Sequence, residues 1–494
     1  MKNGIWILTM ISSQLLGQTY TSELLNYSIT DIGGTARSIG AGGAFSSLGA
    51  DMGAAMSNPA GQGLYRSSEV SLSLGLSGQN SKTSFFNTSG NRRTTNFSVP
   101  HAGAVFAIPI KRAGKPIRFF QLGIVFQRMA NFNRERVYDA QNDFNSKIDV
   151  YYDEIINSNN PIQYQFFTPG AVQAWNTYLV DSFNGQYFKR VFAPVNQSGT
   201  IRETGSANEV AFNFSGNVND KIYIGAGLGL PFLNYTRVNS HAESIDYNDS
   251  IYGFQRYEQS ETYDVKGLGA NFKFGIIARP FDFWRIGVSV TTPSLFFNLE
   301  ETTTAQMQSN ITDGLRDYTF ASDTFLSAPF EFRYNRPLNA TFGTSFIISK
   351  WGFVSVDYEL TDYKNTRLGF DASAQAAEDD YNSEIRALYG IGHKIKIGGE
   401  FAWKVLRVRA GYNWVSTPFR NGIGVKGFDQ QSHIFTAGLG YRGKRFFVDM
   451  AYAHFRTSDY LSLYRATSNE PGLRTNTIRN SVILTAGFRF GGVR

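Results

Sequence analysis

The residues of this chain best suited to chemistry are charged and alternate with apolar neighbours. Asp357 and Glu359, then Lys394, Lys396 and Glu400, then Arg407 and Arg409, and singly Asp449 and Arg489, all interrupt apolar runs in this way. An extended strand would put each group on one face. Two kinds of chemistry fit such a face. An arginine of the set could hold a ligand carboxylate, for which its planar fork is shaped. Alternatively the two signs pair with each other and anchor a neighbouring segment, and this second reading is favoured.

Other chemistries find little support. His101, His241, His393, His433 and His454 contain no pair at i, i+4, so no metal site is expected and they read as interfacial or loop residues. The run IYIGAGLGLPF, residues 222–232, imitates a dinucleotide fingerprint, but its third glycine is misplaced and no helical pattern follows. GGAFSSLGADMGAAMSNPAGQGLYR, Gly42 to Arg66, suggests a phosphate cradle. It lacks both the preceding strand and the following Lys-Ser or Lys-Thr that a cradle needs. No Ser-His-acid set is identified. Neither a catalytic residue nor a cofactor is expected, and the chain does not read as an enzyme.

Strands must therefore position the charged face. The chain has 494 residues, 49 Gly, 15% aromatics and no Cys, which excludes disulfides and thiolate metal sites and favours β structure. Its formal charge of +7 is dispersed along the sequence, so no nucleic-acid partner is expected. Residues 1–17 read as an export signal, with Lys2 before the mostly apolar stretch Ile5 to Leu16 and cleavage near Gly17–Gln18. No other run approaches the ~20 apolar residues of a helical membrane span.

From Ser67 onward the pattern has period 2. Val482, Leu484, Ala486, Phe488 and Phe490 share one face against Thr485, Gly487 and Arg489. Leu406, Val408, Ala410, Tyr412 and Trp414 oppose Arg407, Arg409, Gly411 and Asn413. Val354, Val356, Tyr358 and Leu360 oppose Ser355, Asp357 and Glu359. Apolar faces ending in aromatics, on strands of about ten residues or more, fit a membrane barrel better than a soluble sandwich. About fourteen strands can be placed between residues 67 and 491, with tight turns alternating with long polar connections at 301–329, 369–388 and 461–478. That alternation predicts an antiparallel transmembrane β-barrel with short periplasmic turns and both chain ends in the periplasm. A longer insertion at about 138–206 is expected to fold over the mouth. In it Val172, Trp175, Leu179 and Phe183, and part of KIDVYYDEII, fall at helical spacing.

Fourteen strands enclose more space than their own side chains fill. The pre-strand residues, about 18–66, are the available plug. Phe45, Leu48, Met52 and Met56 could form a stripe against the wall, and Asn58 can cap a short turn begun by Pro59. This stretch, GGAFSSLGADMGAAMSNPAGQGLYRSSEVSLSLGL, resembles the N-terminal hatch and first strand of FadL-type outer-membrane transport proteins. Asn58, Pro59 and Ala60 fall on that family's Asn-Pro-Ala signature, with Gly61 following. The flanking GTARSIGAGGAF and GLYRSSE resemble the branch of Bacteroidetes-type bacteria.

The resemblance implies a signal peptide at 1–17, a hatch at 18–66 and an outer-membrane barrel at 67–494. It implies passive uptake of hydrophobic small molecules such as long-chain fatty acids, gated by the hatch. The ligand would leave sideways beside a kinked strand; Gly123 could permit such a kink, although a packing glycine is the favoured reading of it. The partners implied are a hydrophobic ligand, outer-membrane lipid and, during biogenesis, the barrel assembly machinery. A second reading, from PorV-like members, is a carrier or interaction partner in protein secretion. An ordinary diffusion porin is disfavoured by the hatch.

Overall fold

The computed structural model describes residues 24–110, 117–157, 168–246, 253–312, 317–466 and 469–491. The expected signal peptide, 1–17, lies outside the described residues. Fourteen antiparallel staves close into one barrel. They are β1 (Ser68–Phe85), β2 (Thr88–Pro109), β3 (Ile117–Asn131 continued by Arg134–Asn142), β4 (Val195–Val218), β5 (Ile222–Ser244), β6 (Phe254–Phe281) and β7 (Trp284–Thr291 and Ser294–Thr312). Then come β8 (Asp317–Leu326, Phe330–Arg336 and Asn339–Ile348), β9 (Gly352–Asp362 and Arg367–Gly369), β10 (Ile391–Trp403) and β11 (Leu406–Val415). Finally β12 (Asp429–Arg442), β13 (Phe446–Ser462) and β14 (Gly472–Phe490) lead back to β1, which pairs with β14 from Ser68↔Phe490 to Ser84↔Arg474.

Side-chain direction follows the expected register. Val354, Val356, Val408, Val482 and Leu484 are exposed on the outside, while Ser355, Asp357, Arg409, Asn413 and Thr485 are buried within. Exposed Leu, Ile, Val and Phe side chains of this kind ring the barrel, as in Val70, Leu72, Leu74 and Leu76 of β1. Stacked aromatics edge the ring beside the short turns, including Trp284 against Phe346 and Trp351 against Phe401. An apolar outer band with an aromatic girdle is the lipid-facing surface of an outer-membrane barrel.

Beyond the band the staves run further than the apolar pattern indicates. Residues 80–95 form a continuous hairpin through Phe85↔Thr88 rather than a loop. The polar stretch 301–329 is mostly ladder, with Thr304↔Leu326 through Thr312↔Asp317, and half of 461–478 is ladder too. Above the membrane neither face has to be apolar, so alternation disappears while the backbone ladder, rich in Thr and Ser, continues. In 369–388 the chain instead forms the helix Gln375–Leu388, which buries Tyr381 and Ile385.

The 138–206 insertion also departs from its expected form. Lys147–Ile156 is a helix, capped by Ser146 and Asp149, and Pro169–Asn176 is a second one that contains Val172 and Trp175. Leu179 lies past its end, and Phe183 ends the first strand of a small hairpin, Val180–Phe183 with Gln186–Lys189. The fourfold helical spacing is thus met by its first two members only. We label the helices α1 (Ala36–Gly40), α2 (Lys147–Ile156), α3 (Pro169–Asn176) and α4 (Gln375–Leu388).

Candidate functional site

Residues 24–66 are almost wholly buried, and their partners are inward-facing groups from most staves. Thr35 caps α1, and its hydroxyl also donates to both Asp51 oxygens at 2.9 and 2.8 Å. Asp51 in turn accepts from Gly53 N at 2.9 Å. Two remote turns of the segment are joined in this way. Phe45 meets Phe353 edge-on at 5.5 Å, so part of the expected apolar stripe does touch the wall.

The Asn-Pro-Ala stretch is built as its residue types suggest. The Asn58 amide oxygen accepts from Ala60 N at 3.0 Å, and Pro59 begins the short helix Pro59–Leu64. Asn58 Nδ2 donates to the Ser46 carbonyl at 2.6 Å, tying this turn to the preceding one. The Gly61 carbonyl accepts from Ala50 N at 2.9 Å. Ala60 packs with Tyr223 and Ile277. The wall makes room with glycine: a Cβ on Gly275 would strike Asn58, one on Gly225 would strike Pro59 and Ala60, and one on Gly398 would strike Ala41.

The charged face forms two groups. Arg409 donates to Glu400 and to Asp449, each at 2.7 Å, and Arg442 adds a 2.7 Å bond to Asp449. Arg37 of the N-terminal segment lies 3.6 Å from Glu400. Lys396 and Lys394 hold Glu359 at 2.6 and 3.3 Å, and Lys394 also reaches the Thr30 carbonyl at 3.3 Å. Asp357 accepts from Ser46 N at 2.9 Å and Ser46 Oγ at 2.7 Å. Arg489 bonds Glu69 at 2.9 Å near the periplasmic rim. Arg407 is also at that rim and donates to the Lys404 and Leu406 carbonyls, each at 2.8 Å. The arrangement crosslinks staves and grips the N-terminal segment.

Sequence reasoning missed a further set with the same role. Lys273 pairs with Glu209 at 2.8 Å and donates to the Met56 carbonyl at 3.1 Å. Arg285 holds the Leu48 carbonyl at 2.6 Å, Arg336 holds that of Ser28 at 3.1 Å, and Arg479 bonds Asp31 at 2.8 Å. Each is a lone charge at an inward position of an alternating strand, which is the signal that marks it. His101 is another correction, since it is buried inside, 3.2 Å from Ser71 Oγ, and not interfacial. His393 and His433 do take interfacial places, beside Tyr358 and Tyr412.

Between this segment and the mouth lies a cavity of about 170 Å³, lined on its apolar side by Ile29, Phe132, Tyr363, Val415, Ile434 and Phe455. A smaller one of about 70 Å³ shares Asp31 and Phe455 with it and reaches the wall at Gly75, Leu76, Ser98, Pro100 and Arg128. The wall is irregular there. The β1–β2 register slips between Ser73↔His101 and Gly75↔Ser98, and Pro100 has no N–H to give a ladder. Among the described residues the β2–β3 ladder ends at His101↔Gln127, and above it each strand pairs only on its far side. Gly123 lies below this parting in unbroken register with Val105 and Asn213, and its missing side chain leaves space for Gln62. The irregularity therefore centres on Pro100, and Gly123 is a packing glycine.

Above the membrane the insertion is docked through a buried polar network. Tyr138 O–H donates to His241 Nδ1 at 2.7 Å, and His241 Nε2–H donates to Glu243 at 3.1 Å. Glu243 also accepts from Lys147 N at 2.8 Å, from Gln197 at 2.7 Å and from Ser146 Oγ, which caps α2. Burial lowers the His241 pKa below its ordinary value, against the neighbouring Glu243 carboxylate. Burial works to raise Glu243, but bonds from His241, Lys147 and Ser146 outweigh it and hold the carboxyl below the usual range.

No known protein family and no curated protein matches the chain in sequence. Solved structures do match. A FadL homologue of Pseudomonas aeruginosa aligns over 94% of this chain and 100% of its own, with 12% identity and a TM-score of 0.57. The toluene transporter TodX of Pseudomonas putida covers 94% and 100%, with 12% identity and a TM-score of 0.53. The toluene transporter TbuX of Ralstonia pickettii covers 93% and 99%, with 16% identity and a TM-score of 0.52. Identities this low establish the fold, which is the FadL-type barrel.

Proposed function

We propose that this FadL-type outer-membrane barrel passes hydrophobic small molecules, with residues 18–66 as a hatch that blocks the direct route to the periplasm. The observation that carries the reading is the parting of β2 from β3 at Pro100, where the smaller cavity meets the wall. A ligand resting against Phe132, Val415 and Phe455 reaches Leu76 past Phe455 and the Asp31–Arg479 ion pair, which lines both cavities, without crossing the paired charges around Glu400 below. The Arg, Lys and carboxylate groups of the lumen already hold one another, so they anchor the hatch rather than await a ligand carboxylate. The similar structures that are toluene transporters support the same substrate class.

Ligand size is limited by the cavity. A dry cavity of ~150 Å³ accommodates benzene, so about 170 Å³ suits a single-ring hydrocarbon. A long-chain fatty acid fits only if the hatch shifts.

A cysteine-free chain gives a clean test. Asn96 and Asn131 face each other across the parting at 3.3 Å. Asn96→Cys with Asn131→Cys, bridged by a short bis-maleimide, should stop toluene uptake in cells, and the unbridged protein should retain it. Uptake that continues after bridging refutes lateral passage. The second reading, a secretion carrier, draws on the exposed Phe144 and Phe183 of the insertion, apolar groups standing in water. It predicts unchanged uptake and lost secretion on deletion of the protein.

A further inference from the structure

The outer surface just above the apolar band is charged asymmetrically. On the β3–β7 side its cations have carboxylate partners: Lys266 lies 2.9 Å from Glu300, Arg202 lies 3.2 Å from Glu135, and Arg256 pairs with Glu258. The opposite side, formed by β13, β14, β1 and β2, differs. Its ladders align outward positions in rows, and Tyr452, Val482, Leu76 and Phe97 form the last apolar one. His454, Asn480, Gly78 and Thr95 stand directly above it. Next come Arg456, Ile478, Asn80 and Arg93, then Ser458, Asn476, Lys82 and Asn91, then Tyr460, Arg474, Ser84 and Ser89.

These rows hold Arg456, Arg93, Lys82 and Arg474 and no carboxylate. All four are exposed, and among the described residues none is in an ion pair. Strand and residue spacings put them in a patch about 14 Å wide and about 13 Å high. The polar side chains among them also point to an anion. Asn480 Oδ1 is occupied by Tyr452 O–H at 2.7 Å, and Asn476 Oδ1 by Ser458 O–H at 2.7 Å. The amide N–H groups of both remain as donors. Four cations without a carboxylate partner and two amide donors, continuous with the lipid-facing band, lie at headgroup depth. Phosphate oxygens match such a set, and cations near a membrane surface are drawn to anionic lipid.

We infer that this face binds the phosphorylated headgroup of a glycolipid in the outer leaflet, with its acyl chains along Leu76, Phe97, Tyr452 and Val482. The full-length protein in mild detergent would be incubated with lipid A or its dephosphorylated form and examined by native mass spectrometry. Wild type should retain the phosphorylated lipid at least tenfold better. Lys82→Gln, Arg93→Gln, Arg456→Gln and Arg474→Gln together should abolish that preference, while Arg202→Gln with Lys266→Gln on the other side should not. Folding is checked by heat-modifiable gel migration. Should the fourfold variant misfold, Lys82→Gln with Arg474→Gln, in the two upper rows, should still lower the preference several-fold. Equal retention of both lipids, a preference unchanged in the variants, or displacement by equimolar inorganic phosphate overturns the assignment.

Discussion

Replacing Asn58 by Ala tests whether the N-terminal segment is a hatch held by few, specific bonds. The side chain is fully buried and makes two bonds, accepting from Ala60 N at 3.0 Å and donating to the Ser46 carbonyl at 2.6 Å. Loss of a cap costs about 1 kcal/mol. The Ser46 carbonyl, left without that donor, adds about 1–3 kcal/mol. The sum, about 2–4 kcal/mol, falls on the segment and not on the stave ladders. At 1.4 kcal/mol per tenfold, the displaced population should rise about 30- to 700-fold. Planar-bilayer recording should then show openings that wild type lacks, and amide exchange should quicken across 36–64. The barrel itself should keep its heat-modifiable migration. Silent bilayers with unchanged exchange would refute the hatch. A barrel that loses stability as a whole would refute the separation of segment from wall.

Four further outcomes follow from the same geometry. Val408→Arg puts a charge on the lipid face and should lower barrel stability by about 2–4 kcal/mol in denaturant titration. Thr485→Arg, on the inner face where Thr485 accepts from Ala36 N at 2.7 Å, should leave the barrel folded and make it conduct. Arg409→Leu leaves Asp449 with Arg442 alone and Glu400 with the more distant Arg37 and Arg407, and should cost about 3 kcal/mol, with partial rescue by Asp449→Asn. Acid should undock α2. His241 and Glu243 both titrate lower when folded, so the folded state binds fewer protons, and their stabilisation holds at neutral pH. It is lost as pH falls below the ordinary imidazole value and then through the carboxylate range. Tyr138, Tyr257, Tyr464, Lys147 and Glu261 surround the pair; burial raises the three tyrosines and Glu261, against burial, raises Lys147, so those four keep their charge states over that window. Amide exchange in 147–156 at pH 7.5 and pH 5 measures the effect, and His241→Gln should remove its upper step.

The sequence carried the membrane-spanning register because lipid on one side and a packed lumen on the other impose a two-residue rule on every stave. One slip would have turned Val408 inward and Arg409 into lipid, so Asp357, Arg409 and Thr485 could be faced correctly from their neighbours alone. Where that two-sided constraint ends, so does legibility. The upper halves of β1, β2, β7 and β8 meet water on the outer face and mix Thr and Ser with scattered apolar residues such as Phe85, Met307 and Ile311 on the inner one, so these strands look like loops. The Lys273–Glu209 pair was hidden for a different reason. Each residue obeys the alternation rule, but their meeting across β5 depends on barrel shear, which no local pattern encodes. Pro100 shows the same limit from the other side. A proline in a strand announces a weak ladder, whereas the stave it parts from is decided by how β3 leans toward β4. The glycines of the wall complete the argument. Gly225, Gly275 and Gly398 look like weak points of their strands until Pro59, Asn58 and Ala41 are seen filling the space over them. A barrel wall with small residues at those heights needs a segment to lie against it, and the soft stretch before β1 is that segment.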